Sequence, residues 1–137
     1  MLEVNKLFEK NKIFAKLQQI LPKAMCTYSQ FHVAAIVVTD NGYFHGFNIE
    51  NSAYPNTICA ERTALFSALL NGASTIKEVH LLTDDVTGKA NMCGSCRQTL
   101  SDHVAPNCIV YVYAHDGTYN KFFFYELLPE AFNNQFL

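Results

Sequence analysis

The order of elements in this sequence predicts an α/β fold, a three-layer α/β/α arrangement around one mixed five-stranded sheet. Three observations carry that expectation. Apolar, β-branched or aromatic runs bounded by turn residues recur at Val33–Thr39 and at residues 43–49, 79–83, 108–114 and 119–125. Segments of helical character separate them, which supplies apolar faces for both sides of a sheet. A strand, helix, strand succession around residues 93–102 calls for one parallel crossover, right-handed by the general rule, whereas Asn41-Gly42 and Asp116-Gly117 mark hairpin turns.

The first element is an amphipathic helix over residues 2–21. Val4, Leu7, Phe14, Leu17 and Leu21 recur at helical spacing, lysines fill the other face, and Pro22 stops it. Val33–Thr39 is a continuous apolar run, the mark of a buried strand. Asp40-Asn41-Gly42 turns the chain back into the second strand. After a loop at residues 52–57, Asn56 or Thr57 can cap a helix through Leu70, with Ile58, Leu65, Ala68 and Leu69 on one face. Asn71-Gly72 ends it. A short strand at 79–83, a polar loop at 84–91 and a helix from Cys93 to about Asp102 follow, ending before Pro106. Two strands and a short turn or helix at residues 126–132 complete the chain, read as a single domain over residues 1–137.

Composition excludes several functions. Half of the 137 residues are hydrophobic and 16% are charged, so a packed core is expected and disorder is not. A net charge of −2 gives no electrostatic footprint for nucleic acid. No apolar run approaches the roughly 20 residues that cross a bilayer, and residues 2–21 lack the apolar segment of a signal peptide. A cytoplasmic protein with neither nucleic-acid nor membrane partner is expected. Five cysteines are an odd number, and in a reducing compartment that favours metal binding or catalysis over disulfides.

Two stretches concentrate the chemistry. Cys93-Gly94-Ser95-Cys96 can hold one metal ion, though alone it is equally a redox pair, half a structural site or coincidence. Cys93 opens one predicted helix and Cys59 stands near the start of another, where backbone N–H groups and the helix dipole favour thiolate. Three thiolates and a water make a catalytic zinc site, while a fourth protein ligand, His45 or His80, would close it into a structural one. Glu61, two residues after Cys59, can reach a metal-bound water without ligating and exchange protons with it. Three thiolates leave a zinc site at about −1, so Arg62, and Arg97 from the second helix, are candidates to donate to the sulfurs, with a carboxylate partner as the alternative for Arg97. Asn48 and Glu50 alternate across Ile49 and so share a face at a strand end, suited to sugar hydroxyls.

Together these residues resemble the small, homotetrameric cytidine deaminase family. The pattern is Phe47-Asn48-x-Glu50-Asn51, then Tyr54, then Cys59-Ala60-Glu61-Arg62, with Cys93-Gly94-x-Cys96-Arg97-Gln98 downstream. It extends to Tyr28-Ser29-x-Phe31-x-Val33 and to Glu126-Leu127-Leu128-Pro129-x-Ala131-Phe132. The zinc deaminases are a known example of this chemistry. The resemblance implies a cytidine deaminase-like fold and one zinc ion per chain on Cys59, Cys93 and Cys96. It implies attack of zinc-bound hydroxide on C4 of cytidine or 2′-deoxycytidine, with Glu61 shuttling protons and ammonia leaving, in pyrimidine salvage. Asn48 and Glu50 would hold the ribose, the Ala60 backbone would meet the base edge, and Phe31 would pack on the base. Tyr54 and Phe132 would reach across subunit interfaces of a homotetramer.

Two positions depart from the family pattern. Met92 stands where proline is usual, which predicts looser geometry at the helix start. Ala34 stands where glycine is usual, which predicts an extra methyl in the pocket wall. Cys26 and Cys108 have no place in the pattern and read as buried thiols. The alternatives are a deaminase of another aminopyrimidine nucleoside such as blasticidin S, and a non-catalytic zinc-stabilised oligomer.

Overall fold

The computed structural model describes the backbone from Leu2 to Leu137 and the side chains from residue 9 onward. Helix α1 spans Leu2–Ile20 and runs into a 3-10 turn at Leu21–Lys23, where Pro22 sits. Strands β1 (Val33–Thr39) and β2 (Gly42–Phe47) form the first hairpin, followed by α2 (Ala60–Leu70) and β3 (Ile76–Thr83). Helix α3 (Gly94–Ser101) leads to β4 (Val104–Tyr113), β5 (Tyr119–Phe123) and the short α4 (Phe124–Leu127). The five strands form one sheet in the order β2-β1-β3-β4-β5. Only β3 and β4 are parallel, the pair joined through α3, and the other neighbours are antiparallel.

Strand alternation divides the apolar residues between two cores. Ala35 and Val37, Val79 and Leu81, and Val110 and Val112 meet α2, α3 and α4 on one face. Ala34 and Ile36, Leu82, and Tyr111 and Tyr113 meet Ile13, Leu17 and Ile20 of α1 on the other. The expected helix face is thus seen at Leu17, with Phe14 and Leu21 partly buried beside it, while the side chains of Val4 and Leu7 lie outside the described residues. Ala34 is fully buried against α1, so its methyl does not enter the pocket wall as expected; Val33 faces that side instead.

Several boundaries differ from the sequence reading, each for a physical reason. Helix α2 is not capped at Asn56 or Thr57. Residues Tyr54–Asn56 form a 3-10 turn, and Ile58 and Ile49 exchange two backbone hydrogen bonds of 2.9 Å, which holds Ile58 extended. Cys59 becomes the N-cap, Ile58 leaves the helix, and Leu69 is exposed while Leu65 and Ala68 are buried. Strand β3 begins three residues earlier than the apolar run because Lys77 and Glu78 hide its start. Strand β4 begins at Val104 and carries Pro106 in the stretch where its register against β3 slips, a place that needs no ladder N–H. Strands β2 and β5 each stop two residues early, the latter because α4 starts at Phe124.

Gly46 sets the distance between α2 and the sheet. It is buried on β2, and a Cβ there would fall on the Ala60 carbonyl and the Ala64 amide. Gly46→Ala is therefore expected to destabilise the protein by about 1–3 kcal/mol through overpacking against backbone. The check is the urea midpoint, and an unchanged midpoint would show that α2 can move away freely.

Candidate active site

The N-termini of α2 and α3 converge. Cys59 caps α2, Cys93 caps α3, and Cys96 lies in the first turn of α3. Both caps adopt extended backbone, φ −72° and ψ 156° at Cys59 and φ −67° and ψ 163° at Cys93, which turns each thiol past its helix end. The Cys59 and Cys93 sulfurs are 3.8 Å apart, those of Cys93 and Cys96 3.5 Å, and all three lie within 4.8 Å of one another. Zinc–sulfur bonds of about 2.3 Å in a tetrahedron place sulfurs about 3.8 Å apart, so the three thiols fit zinc. Three soft donors at two helix N-termini suit that metal and leave one coordination position for another group.

The fourth position is not filled by histidine. His45 and His80 lie on the α1 side of the sheet. His80 is fully buried there, with Nε2 2.8 Å from Glu78 Oε1 and Nδ1 2.8 Å from the Tyr113 hydroxyl. Among the described residues only Cys59, Cys93 and Cys96 form a metal-ligating group. The alternative of a site closed by His45 or His80 is therefore set aside, and the expected group of three cysteines is the one the structure assembles.

Charge around the sulfurs is arranged by Arg62 and Glu61. Arg62 Nη2 is 3.5 Å from Cys59 Sγ and 3.5 Å from the Thr57 carbonyl. The Cys59 thiol is pushed down to about 5, first by the hydrogen bond it takes from Cys96 and then by Arg62 and Cys93. Cys96 is pushed up by that same hydrogen bond, by burial and by the Glu61 carboxylate. Glu61 is 4% exposed, and its Oε2 lies 3.6 Å from Cys96 Sγ. Burial first, and then the Cys59 thiolate, raise its carboxyl to about 7. Arg97 does not join them. Its Nε donates to the Met92 carbonyl at 2.8 Å and its Nη1 to the Leu127 carbonyl at 2.9 Å, so the expected contact with sulfur or carboxylate is replaced by two backbone acceptors.

A cavity of about 310 Å³ opens above Cys59, Cys93 and Glu61, and Phe31, Glu50 and Tyr54 contribute to its lining. Asn48 lines it too, and its amide is anchored to backbone with one donor and one lone pair left over: Oδ1 accepts from Val33 N–H at 2.9 Å and Nδ2 donates to the Phe31 carbonyl at 2.8 Å. The Ser29 side chain first, and then the Ser29 and Tyr28 amides from which Glu50 accepts, lower its carboxyl below the usual range. Ala60 is fully buried in the first turn of α2, where amides have no intrahelical partner. Phe132 stands outside the cavity of its own chain, 58% exposed, stacked on Phe136, with its carbonyl held by Gln98 Nε2 at 3.0 Å. Met92 is not loose: it is 2% exposed and packs into the core. Ser29, Thr83 and Asn91 also line the cavity. Ser29 lies in the Tyr28-Ser29-x-Phe31 pattern without an assigned role, whereas no motif marks Thr83 or Asn91; their signal is adjacency to strand and helix ends that only the strand order brings together. Cys26 and Cys108 are buried free thiols, as expected.

Asn48→Ala would leave the Val33 amide and the Phe31 carbonyl without partners beside the cavity. A loss of about 1–3 kcal/mol is expected from the unpaired groups, read by urea denaturation. Stability equal to wild type would show that water replaces both hydrogen bonds.

The comparisons with known proteins agree with this geometry. Residues 9–112 match the family model described as cytidine and deoxycytidylate deaminase zinc-binding region. A cytidine deaminase of Sporosarcina psychrophila is 35% identical over 125 residues, 90% of this chain and 91% of that one. The crystal structure of a cytidine deaminase from Burkholderia pseudomallei superimposes with a TM-score of 0.81 at 34% identity, covering 89% of this chain and 98% of that one. A blasticidin-S deaminase of Bacillus cereus is 31% identical over 109 residues, 74% of this chain and 76% of that one. Matched over most of its length in sequence, and in fold as well, the chain belongs to the cytidine and deoxycytidylate deaminase family.

Proposed function

We propose that this protein is a zinc-dependent hydrolytic deaminase of cytidine and 2′-deoxycytidine that yields uridine and 2′-deoxyuridine in pyrimidine salvage. The observation that carries the reading is Glu61, buried beside three converging sulfurs at the floor of a cavity. A structural metal site gains nothing from a buried carboxylate that is not a ligand, which weighs against a non-catalytic zinc-stabilised oligomer. Relatives named cytidine deaminase, aligned over about nine-tenths of the chain, support the substrate class.

Cys59, Cys93 and Cys96 would hold one zinc ion, which supplies Lewis acidity that makes water a nucleophile at neutral pH. Glu61 would take the proton of the attacking water, place it on the ring nitrogen N3 and later pass one to the amino group. The water oxygen ends on C4, the C4–N bond breaks, and nitrogen leaves as ammonia. Arg62, 3.5 Å from Cys59 Sγ, would offset the charge of the thiolates. Phe31 would pack on the base, the Ala60 amide would meet its edge, and Glu50 would accept from ribose hydroxyls. Asn48 would join Glu50 at the ribose while holding Phe31 and Val33 in place. Tyr54 and Phe132 would complete a neighbour's site in a homotetramer, a role that fits their exposure of 55% and 58%. The chain would act as one domain, and its five free thiols fit the reducing cytoplasm.

A second reading, deamination of another aminopyrimidine nucleoside such as blasticidin S, is favoured by the Bacillus cereus relative alone. Ammonia release from cytidine, 2′-deoxycytidine, blasticidin S and free cytosine separates the two. Turnover of both cytidine nucleosides is expected, and turnover of blasticidin S alone would replace the first reading with the second. Glu61→Gln is expected to retain one zinc per chain and lose at least about 10²–10⁴-fold in kcat. An active Gln variant would remove Glu61 from the proton path.

A further inference from the structure

The loop from β3 to α3 delivers Cys93, and the residue just before that cysteine is held on every side. Asn91 Oδ1 accepts the Met92 N–H at 2.8 Å. Arg97 Nε donates to the Met92 carbonyl at 2.8 Å. The Met92 side chain is 2% exposed in the core beneath α3. Upstream, the Asp85 carboxylate gathers the amides of Thr87, Lys89 and Ala90, which closes the loop on itself and presents Asn91 at a fixed point.

The Met92 N–H needs that acceptor. Met92 lies immediately before the N-cap of α3, so no helical carbonyl can reach its amide. A proline there, as in the family pattern, has no N–H and a fixed φ. Methionine brings back the donor and frees φ, and either change alone would let the peptide before Cys93 swing. Asn91 answers the first with one hydrogen bond, which satisfies the donor and restricts rotation about the Asn91 Cα–C bond, and Arg97 restrains the freed φ by holding the Met92 carbonyl beyond it.

We propose that Asn91 is a positioning residue for the Cys93 and Cys96 pair. By engaging the Met92 N–H it fixes the peptide that enters Met92, and with Arg97 on the Met92 carbonyl this sets the direction in which the chain delivers Cys93 to Cys59, 3.8 Å away between sulfurs. This inference rests on the reading of the three cysteines as zinc ligands. It adds that the precision of the site depends on a side chain that ligates nothing. It also accounts for the tight packing of Met92 where its chemistry alone predicts looseness.

The test compares wild type, Asn91→Ala, Met92→Pro and the double variant Asn91→Ala/Met92→Pro. Zinc affinity is read by competition with a chromogenic chelator, and hydrogen exchange is read at the Met92 amide of the wild type. A protected Met92 amide is expected, with about a 10- to 100-fold loss of zinc affinity in Asn91→Ala. The double variant is expected to recover most of that loss, because it removes the donor and fixes φ; urea denaturation of each variant separates lost packing from lost affinity. An unprotected Met92 amide in the wild type overturns the proposal, even if Asn91→Ala does not fold. So does Asn91→Ala with wild-type affinity, or a loss that proline fails to restore. A wild type that binds no zinc overturns the metal reading and this proposal with it, whereas zinc-binding wild type with an indifferent Asn91→Ala overturns this proposal alone.

Discussion

The structure depends on two helices beginning at one place. Each helix N-terminus has free amides and a positive dipole end, and each is capped by a cysteine rather than by a serine or aspartate. That choice gives up a side-chain cap hydrogen bond at both starts. In return, the field that would stabilise a cap stabilises thiolate. Backbone contacts fix the two starting points independently. For α2 they are the Ile49–Ile58 bridge and the close approach at Gly46, and for α3 they are the loop gathered by Asp85 and the peptide of Met92.

Bringing three sulfurs and a carboxylate within a few ångströms concentrates negative charge, and the fold supplies one guanidinium for it. Arg62 stands on the helix that Cys59 caps, three residues on, so its side chain folds back over the N-terminus. The second arginine serves the backbone instead. By holding Met92 and Leu127 carbonyls, Arg97 ties the metal-ligand loop to the C-terminal segment, and Gln98 extends the tie to Phe132. One turn of α3 thus links the sulfurs to the segment whose aromatic ring is proposed to act on a neighbouring chain.

The opposite face of the sheet is built for packing rather than for chemistry. Burial lowers the His80 pKa; the Glu78 carboxylate only accepts, so Nε2–H donates to it, and Nδ1 of that tautomer accepts from the Tyr113 hydroxyl. The imidazole stacks on Tyr111 at 4.7 Å, and Lys10 of α1 lies 4.9 Å over the other part of that aromatic layer at Tyr111. A histidine that the fold could have brought to the metal is instead committed to the aromatic layer beneath α1.

Local chemistry alone determined much of this protein. The continuous apolar runs marked strands whose two faces are apolar, the Asn41-Gly42 and Asp116-Gly117 turns marked hairpins, and helix-start cysteines beside Glu61 and Arg62 marked the site. These are readable because they depend on neighbours a few residues away. Tertiary structure alone decided the remainder. Ile58 is extended, not helical, because its partner Ile49 lies across a loop. Ala34 faces α1 because strand alternation assigns sides only once the register is known. His45 and His80 leave the metal for the same reason, and Arg97 turns to carbonyls that lie five and thirty residues away. Sequence spacing limits what a side chain can reach along its own element, but the face it occupies and the partner it finds are set by the packing of distant segments.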